Sequence, residues 1–252
     1  MKISKIFTTI LLVSVSQSFL YGQTVDSIPK KRTVKATEII GIALPVVMIT
    51  YGFISLDNDN EIRQIDYNVN NSIERNNLVW HTNVDNYVQY VPAVAAYTMK
   101  FCKVESTHGL LDMTILYGLS NLLSSGITHG LKTYIKRDRP NTVTRSFPSG
   151  HAQTAFVAAE FLHQEYKDQS VWISVGGYSA ATFVGIARIY KKKHWVSDVV
   201  AGAGIGILST KGVYWVYPYL KKAFGKKDKS FQTFIFPGYS DGNLNFSLSK
   251  TF

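Results

Sequence analysis

Three short stretches of the chain put cationic and imidazole side chains at the ends of helical segments rather than within them. The first is Lys132-Thr133-Tyr134-Ile135-Lys136-Arg137-Asp138-Arg139-Pro140, where Pro140 disfavours helical geometry at Arg139 and so ends the preceding helix near the rim of a bundle. Lys132 and Arg139 then lie on one face about two turns apart. An ammonium and a planar guanidinium converging there suit a tetrahedral oxyanion. Basic residues that end a helix also favour its dipole and its solvated rim, so this stretch alone decides little.

The second stretch, Phe147-Pro148-Ser149-Gly150-His151, runs straight into the helical pattern Ala152 to Phe161. A Ser-Gly pair at a helix start offers free backbone N–H groups, the positive end of the dipole and a small hydroxyl, which together seat an anion. His151 can exchange a proton with a bound ester, because imidazole titrates near neutrality. The plain alternative is a helix cap, with Ser149 as N-cap. The third stretch, Arg188 to Asp198, is a helix end, a basic loop and a new helix. His194 and Asp198 face each other if that helix has begun by Trp195. A carboxylate on one ring nitrogen fixes the tautomer and leaves the other nitrogen as a nucleophile. A surface ion pair is the commoner meaning of such a pair in isolation.

Together the three stretches resemble, residue by residue, the signature of the type 2 phosphatidic acid phosphatase superfamily: K-x6-R-P, then P-S-G-H, then S-R-x5-H-x3-D. One position departs from it, Ala187 standing where the pattern has Ser, so a hydroxyl contact to phosphate would fall to Ser149 or to backbone. The resemblance implies that Lys132, Arg139 and Arg188 hold a phosphate with help from Ser149 and the Gly150 amide. It implies that His194 attacks phosphorus, Asp198 orients His194, and His151 protonates the leaving oxygen. It implies neither a metal nor any other cofactor. The expected activity is hydrolysis of phosphate monoesters or pyrophosphates through a phosphohistidine. The family's lipid substrates include phosphatidic acid, phosphatidylglycerol phosphate, isoprenyl pyrophosphate and the phosphates of lipid A. Secreted acid phosphatases acting on soluble esters, and vanadium-dependent haloperoxidases with a similar pocket, are the enzymatic alternatives; a non-enzymatic anion-binding protein is the third.

These residues need a frame, and the chain of 252 residues is long enough to build a substantial core. Helical patterns at 87–103, 110–135, 151–166, 171–190 and 196–217, with the apolar run Ile39 to Leu56, predict an all-α bundle of about six helices carrying the site at one end. Residues 57–86, rich in Asp, Asn and Glu, read as an exposed connection, with Ile62 to Ile73 spaced as an amphipathic helix. The alternation of Leu244, Phe246 and Leu248 after Tyr239-Ser240-Asp241-Gly242-Asn243 reads as a short C-terminal β-hairpin, with a loosely ordered tail as the other reading. The basic, then apolar start reads as a signal peptide over 1–22, cleaved after Gly22 or kept as an anchor. The expected division is thus 1–22, an N-terminal helix and polar connection over 23–86, a phosphatase bundle over 87–220, and a basic linker and tail over 221–252.

The formal charge of +10 suits an anionic partner, whether a phosphorylated compound, an acidic membrane surface or nucleic acid. Read with the phosphatase resemblance, it favours a phosphorylated lipid or small phosphoester and a membrane surface, with no nucleic-acid partner. Trp172, Trp195 and Trp215 near helix ends, and the Lys191-Lys192-Lys193 loop beside the site, suit a lipid phosphate at an anionic interface. Mid-helix Lys100, Asp112, Asn121, His129 and Lys211 are expensive in hydrocarbon unless buried against protein, and only 39–56 and 169–187 are long and charge-free. The expected location is the cell envelope, with a periplasmic site, either membrane-associated or integral. The single cysteine, Cys102, excludes an intramolecular disulfide and reads as a core residue.

Overall fold

The computed structural model describes residues 36–57, 59–224, 232–240 and 243–251; the signal-like start, the basic runs at 30–32 and 226–227, and Asp241 and Gly242 of the expected turn lie outside them. Eight helices are found among the described residues: α1 (Ala36–Ile54), α2 (Glu61–Arg75), α3 (Asp85–Val88), α4 (Val91–Phe101), α5 (Leu110–Tyr134), α6 (Gly150–Tyr166), α7 (Val171–Tyr190) and α8 (Val196–Phe224). Apart from the C-terminal strand pair the described residues form helices as expected; α5, α6 and α7 start and stop close to the sequence-based bounds, while α8 runs past the expected 217, through Pro218, to Phe224. Their ends follow side-chain chemistry. Asn60 accepts the Arg63 N–H at 2.9 Å to open α2, and Ser170 accepts the Trp172 N–H at 3.2 Å to open α7. Pro92 in the first turn of α4 needs no amide partner there.

Three expectations are corrected. Residues 57–86 are more than an exposed connection: the helix read over Ile62 to Ile73 forms as α2, α3 begins at Asp85, and Arg63, Asp66 and Asp85 are buried. The helix expected over 87–103 begins only at Val91, after the separate turn of α3. Cys102 is exposed, because it caps the C-terminus of α4 rather than facing the core.

At the centre lies α6, whose Ala155, Val157, Ala158, Ala159 and Phe161 are fully buried and which packs against α4, α5 and α7. Small side chains let the backbones approach closely. A Cβ on Gly202 of α8 would come within 2.4 Å of the Ser149 carbonyl oxygen, and one on Gly206 within 2.5 Å of the Gln153 carbonyl oxygen. Gly204, on another face of α8, lies against α1, where a Cβ would meet the Pro45 oxygen at 2.7 Å. So α8 is wedged between α1 and α6, and its N-terminus is held against the start of α6. Phe53, Phe147 and Ala201 form a buried cluster at that end, with the Phe53 and Phe147 rings edge to face at 5.4 Å.

Two of the charges read as mid-helix have partners. Lys211 pairs with the fully buried Glu160 at 2.9 Å, and Lys100 donates to Ser106 and to the His108 carbonyl. By length and composition, one helix among the described residues, Val196–Ala223, could cross a membrane, and 61% of its apolar window is buried within the protein. The chain divides into a compact unit ending at Val213 and a second beginning at Tyr214. In the second, β1 (Gln232–Ser240) and β2 (Asn243–Thr251) pair antiparallel, with Ile235 opposite Leu248 and Phe236 opposite Ser247.

Candidate active site

All eight residues singled out from the sequence come from one end of the bundle. Lys132 lies in the last turn of α5, Arg139 in the loop after it, Ser149, Gly150 and His151 at the start of α6, Arg188 in the last turn of α7, and His194 and Asp198 around the start of α8. Their charges act on one another. Burial lowers the Lys132 ammonium to about 8; Asp198 opposes the shift, and the Arg139 and Arg188 charges add to it. Arg139 is likewise lowered by burial, then by Arg188. The Lys132 ammonium donates at 3.3 Å to the carbonyls of Arg145 and Ser146, and a Cβ on Gly150 would touch its Cε at 4.0 Å. The Nε groups of Arg139 and Arg188 are buried without a hydrogen-bond partner. A buried donor left unpaired costs about 1–3 kcal/mol, so two of them beside a desolvated ammonium mark a place suited to an oxygen-rich anion.

The two imidazoles have different settings. His194 is 3% exposed, and its Nδ1 lies 3.6 Å from Asp198 Oδ2, an ionic contact longer than a hydrogen bond. Burial lowers this imidazole to about 4 in spite of Asp198, with Lys132 and Arg188 adding to the shift, so it is neutral at physiological pH with a lone pair available. The Nε2 of His151 meets the Asn86 Oδ1 at 2.9 Å; an amide oxygen only accepts, so the proton sits on Nε2. His151 is also lowered to about 4, by burial first and then by the Arg188 charge. A phosphate dianion bound among these cations would raise both imidazoles. Ser149 is fully buried and serves as the N-cap of α6, while its own N–H donates to the Asp198 carbonyl at 2.9 Å.

Several residues the sequence reading passed over complete the site. Arg137 is buried and donates to Asp198 Oδ1 at 2.7 Å and to Asp66 Oδ2 at 2.6 Å. Asp198 Oδ2 accepts the Trp195 N–H at 2.9 Å and the Ser146 hydroxyl. Asp85 holds both Arg188 and Lys191, each at 2.8 Å. A sequence signal existed for Arg137, which lies inside the first basic stretch; none marked Asp66, Asp85 or Asn86. The tri-lysine loop is corrected as well: Lys191 is tied to Asp85 and Lys192 to Glu74, so these two ammoniums are paired within the protein and are not free for an anionic surface.

One end of the helical bundle thus gathers three cations, two neutral imidazoles and a buried carboxylate, groups suited to holding an anion and to acid, base and nucleophilic chemistry. Residues 113–222 match the family model described as the PAP2 superfamily. The chain is 40% identical over 139 residues to the lipid A 1-phosphatase of Porphyromonas gingivalis, covering 54% of this chain and 31% of that protein. It is 33% identical over 138 residues to the phosphatidylglycerophosphatase B of Bacillus subtilis, covering 49% of this chain and 61% of that one. The chain thus spans less than two thirds of the length of these curated relatives. A crystal structure of a transmembrane PAP2-type phosphatidylglycerolphosphate phosphatase from Bacillus subtilis superposes with a TM-score of 0.49 at 22% identity, over 71% of this chain and 98% of that one. Among the described residues, no group of three or more His, Cys, Asp or Glu is arranged to hold a metal ion.

Proposed function

We propose that the chain is a metal-independent phosphatase that hydrolyses the phosphate monoester or pyrophosphate of a membrane lipid through a phosphohistidine on His194. The observation that carries this reading is a neutral, buried His194 with Asp198 on its Nδ1 side, among the charges of Lys132 and Arg188. Nε2 of His194 attacks phosphorus as the ester P–O bond breaks, and His151, made imidazolium once the bound phosphate dianion has raised it, gives its extra proton to the departing oxygen. Water then attacks the phosphohistidine, its proton passing to His151, and phosphate leaves. Lys132, Arg139 and Arg188 stabilise the charge spread over the three equatorial oxygens.

The lipid class is supported by three further observations. The two curated relatives are named for phosphatases of lipid A and of phosphatidylglycerophosphate. An apolar groove of about 320 Å³ is lined by Ile49, Phe53, Leu123, Ile127 and Leu131, the last of which precedes Lys132 in the sequence. Exposed Ile42, Leu44, Val47, Leu111, Leu122 and Trp172 give the helices an apolar outer surface suited to membrane association in the cell envelope. The signal over 1–22 and a periplasmic site belong to the same proposal, as does a catalytic bundle extended from 87–220 to include α2 and α3.

Phosphate release from a panel of lipid and soluble phosphates, in a strong chelator, tests the reading. Wild-type protein is expected to favour the lipids and His194→Ala to release none. Preference for soluble esters would favour a secreted acid phosphatase. Halide oxidation by peroxide in the presence of vanadate, without phosphate release, would favour a haloperoxidase.

A further inference from the structure

One buried ionic network of the site contains no residue assigned to phosphate. Arg137 uses two nitrogens on two carboxylates: Nη1 donates to Asp198 Oδ1 at 2.7 Å and Nη2 to Asp66 Oδ2 at 2.6 Å. Nη1 also meets the hydroxyls of Ser197 at 2.9 Å and Ser55 at 3.3 Å. Asp66 in turn accepts the Ser197 N–H at 2.9 Å through Oδ1 and the Ser197 hydroxyl through Oδ2, which ties it to the first turn of the helix that carries Asp198. Exposure is 8% for Arg137, 1% for Asp66 and zero for Ser55, Ser197 and Asp198. Taking a guanidinium and two carboxylates out of water costs several kcal/mol per ion before pairing offsets it, and an apolar core would serve stability as well.

We propose that Arg137 and Asp66 are positioning residues for the candidate nucleophile. Arg137 clamps Asp198 Oδ1, Asp66 clamps Arg137 and Ser197, and the two together aim Asp198 Oδ2 at His194 Nδ1. This rests on the phosphohistidine reading for its catalytic consequence but not for its electrostatic one. Trp195 and Ser146 hold the other oxygen of Asp198, so without Arg137 the carboxylate could turn about that side and lose its register with His194. Asp66 lies on α2, outside the matched segment 113–222, so the helix that reads as an accessory is joined to the catalytic machinery. The groups acting on His194 are Asp198, Lys132 and Arg188, none of which is altered in the variants below.

The test compares wild type with Asp66→Asn, Arg137→Gln and Arg137→Lys. It measures kcat and KM on a lipid phosphate in detergent micelles, vanadate inhibition, the thermal midpoint, and the His194 imidazole titration by NMR. Asp66→Asn and Arg137→Gln are expected to lose about 10- to 100-fold in kcat, as small misplacements of reacting groups do, with KM and vanadate inhibition within about threefold because the phosphate cations remain. Arg137→Lys keeps the charge and one arm, and should fall between wild type and Arg137→Gln. The imidazole should titrate about one unit higher in Arg137→Gln, where the Asp198 charge is no longer offset, and near wild type in Arg137→Lys. Asp66→Asn keeps the shape of the side chain and carries the test if Arg137→Gln fails to fold. Unchanged kcat in the folded variants overturns the proposal, and so does loss of vanadate inhibition in step with kcat. If the wild type hydrolyses no phosphate ester while the His194 titration still moves in Arg137→Gln, the phosphatase reading fails and the positioning role stands.

Discussion

The Nδ1 of His194 lies 3.6 Å from an Asp198 oxygen that already accepts the Trp195 N–H at 2.9 Å and the Ser146 hydroxyl. The carboxylate is therefore fixed by the protein and not by the histidine it faces. Neutral His194 needs only a small movement to make that contact a hydrogen bond, and an imidazole gaining positive charge during attack on phosphorus would be drawn into it.

On an activated aryl ester, whose departure needs no proton from His151, the pH dependence follows from two groups of the free protein. His194 must be neutral to attack, so kcat/KM should fall as pH drops through about 4. Lys132 must be charged to hold phosphate, so kcat/KM should fall as pH rises through about 8. Lys132→Arg, whose charge persists to much higher pH, should push the alkaline limb upward. A pH–rate profile of the two proteins checks both limbs.

The same ammonium bears on stability. Its folded-state value lies below the ordinary 10.5, so the folded protein binds fewer protons than the unfolded chain between about 8 and 10.5. Holding Lys132 charged thus costs stability below pH 8, and the cost fades as pH rises through that window. Lys132→Met should raise stability at pH 7 by about 1 kcal/mol, after allowance for solvent screening, while removing activity. Chemical denaturation at pH 7 and at pH 10 should show the gain shrinking at the higher pH.

Leaving-group dependence separates the roles of the imidazoles. His151→Ala should reduce turnover of alkyl and lipid phosphates by about 100-fold or more and spare activated aryl esters, which need no proton. Asn86→Ala, which removes the 2.9 Å partner of His151, should show the same pattern more weakly. Equal losses on both substrate types would contradict the acid role.

Close packing of α8 against the start of α6 should be as critical as the charged groups. Gly202→Ala would drive a Cβ to 2.4 Å from the Ser149 oxygen, so the loop must shift, at a cost of about 1–3 kcal/mol and with loss of activity. Gly212→Ala on the same helix meets nothing within 4 Å and should be neutral or stabilising by up to about 1 kcal/mol. Thermal midpoints and turnover of the two variants make the comparison.

The ends of α5, α6 and α7 and the start of α8 were legible because apolar spacing, Pro140 and the Ser caps are local signals. The pocket was legible because Lys132, Arg139, His151, Arg188, His194 and Asp198 fall at those ends. What stayed hidden depends on partners distant in sequence: Asp66 meets Ser197 across 131 positions and Arg137 across 71. Lys136 and Arg137 are indistinguishable as neighbouring bases, and only packing makes one exposed and the other buried. The helix over Ile62 to Ile73 was read, but the polar composition of 57–86 masked its burial and the turn of α3, since buried carboxylates paired with arginine look like surface charge in a sequence. Lys191 and Lys192 were misread for the converse reason, their carboxylate partners lying more than 100 positions away.

The central claim is a phosphoryl group carried by His194. Wild-type protein mixed for milliseconds with a lipid phosphate labelled in its phosphorus, then quenched in alkali, should hold an acid-labile, alkali-stable label on the peptide containing His194. Label absent from that peptide while phosphate is being released, or turnover persisting at the wild-type rate in His194→Ala, would contradict the account.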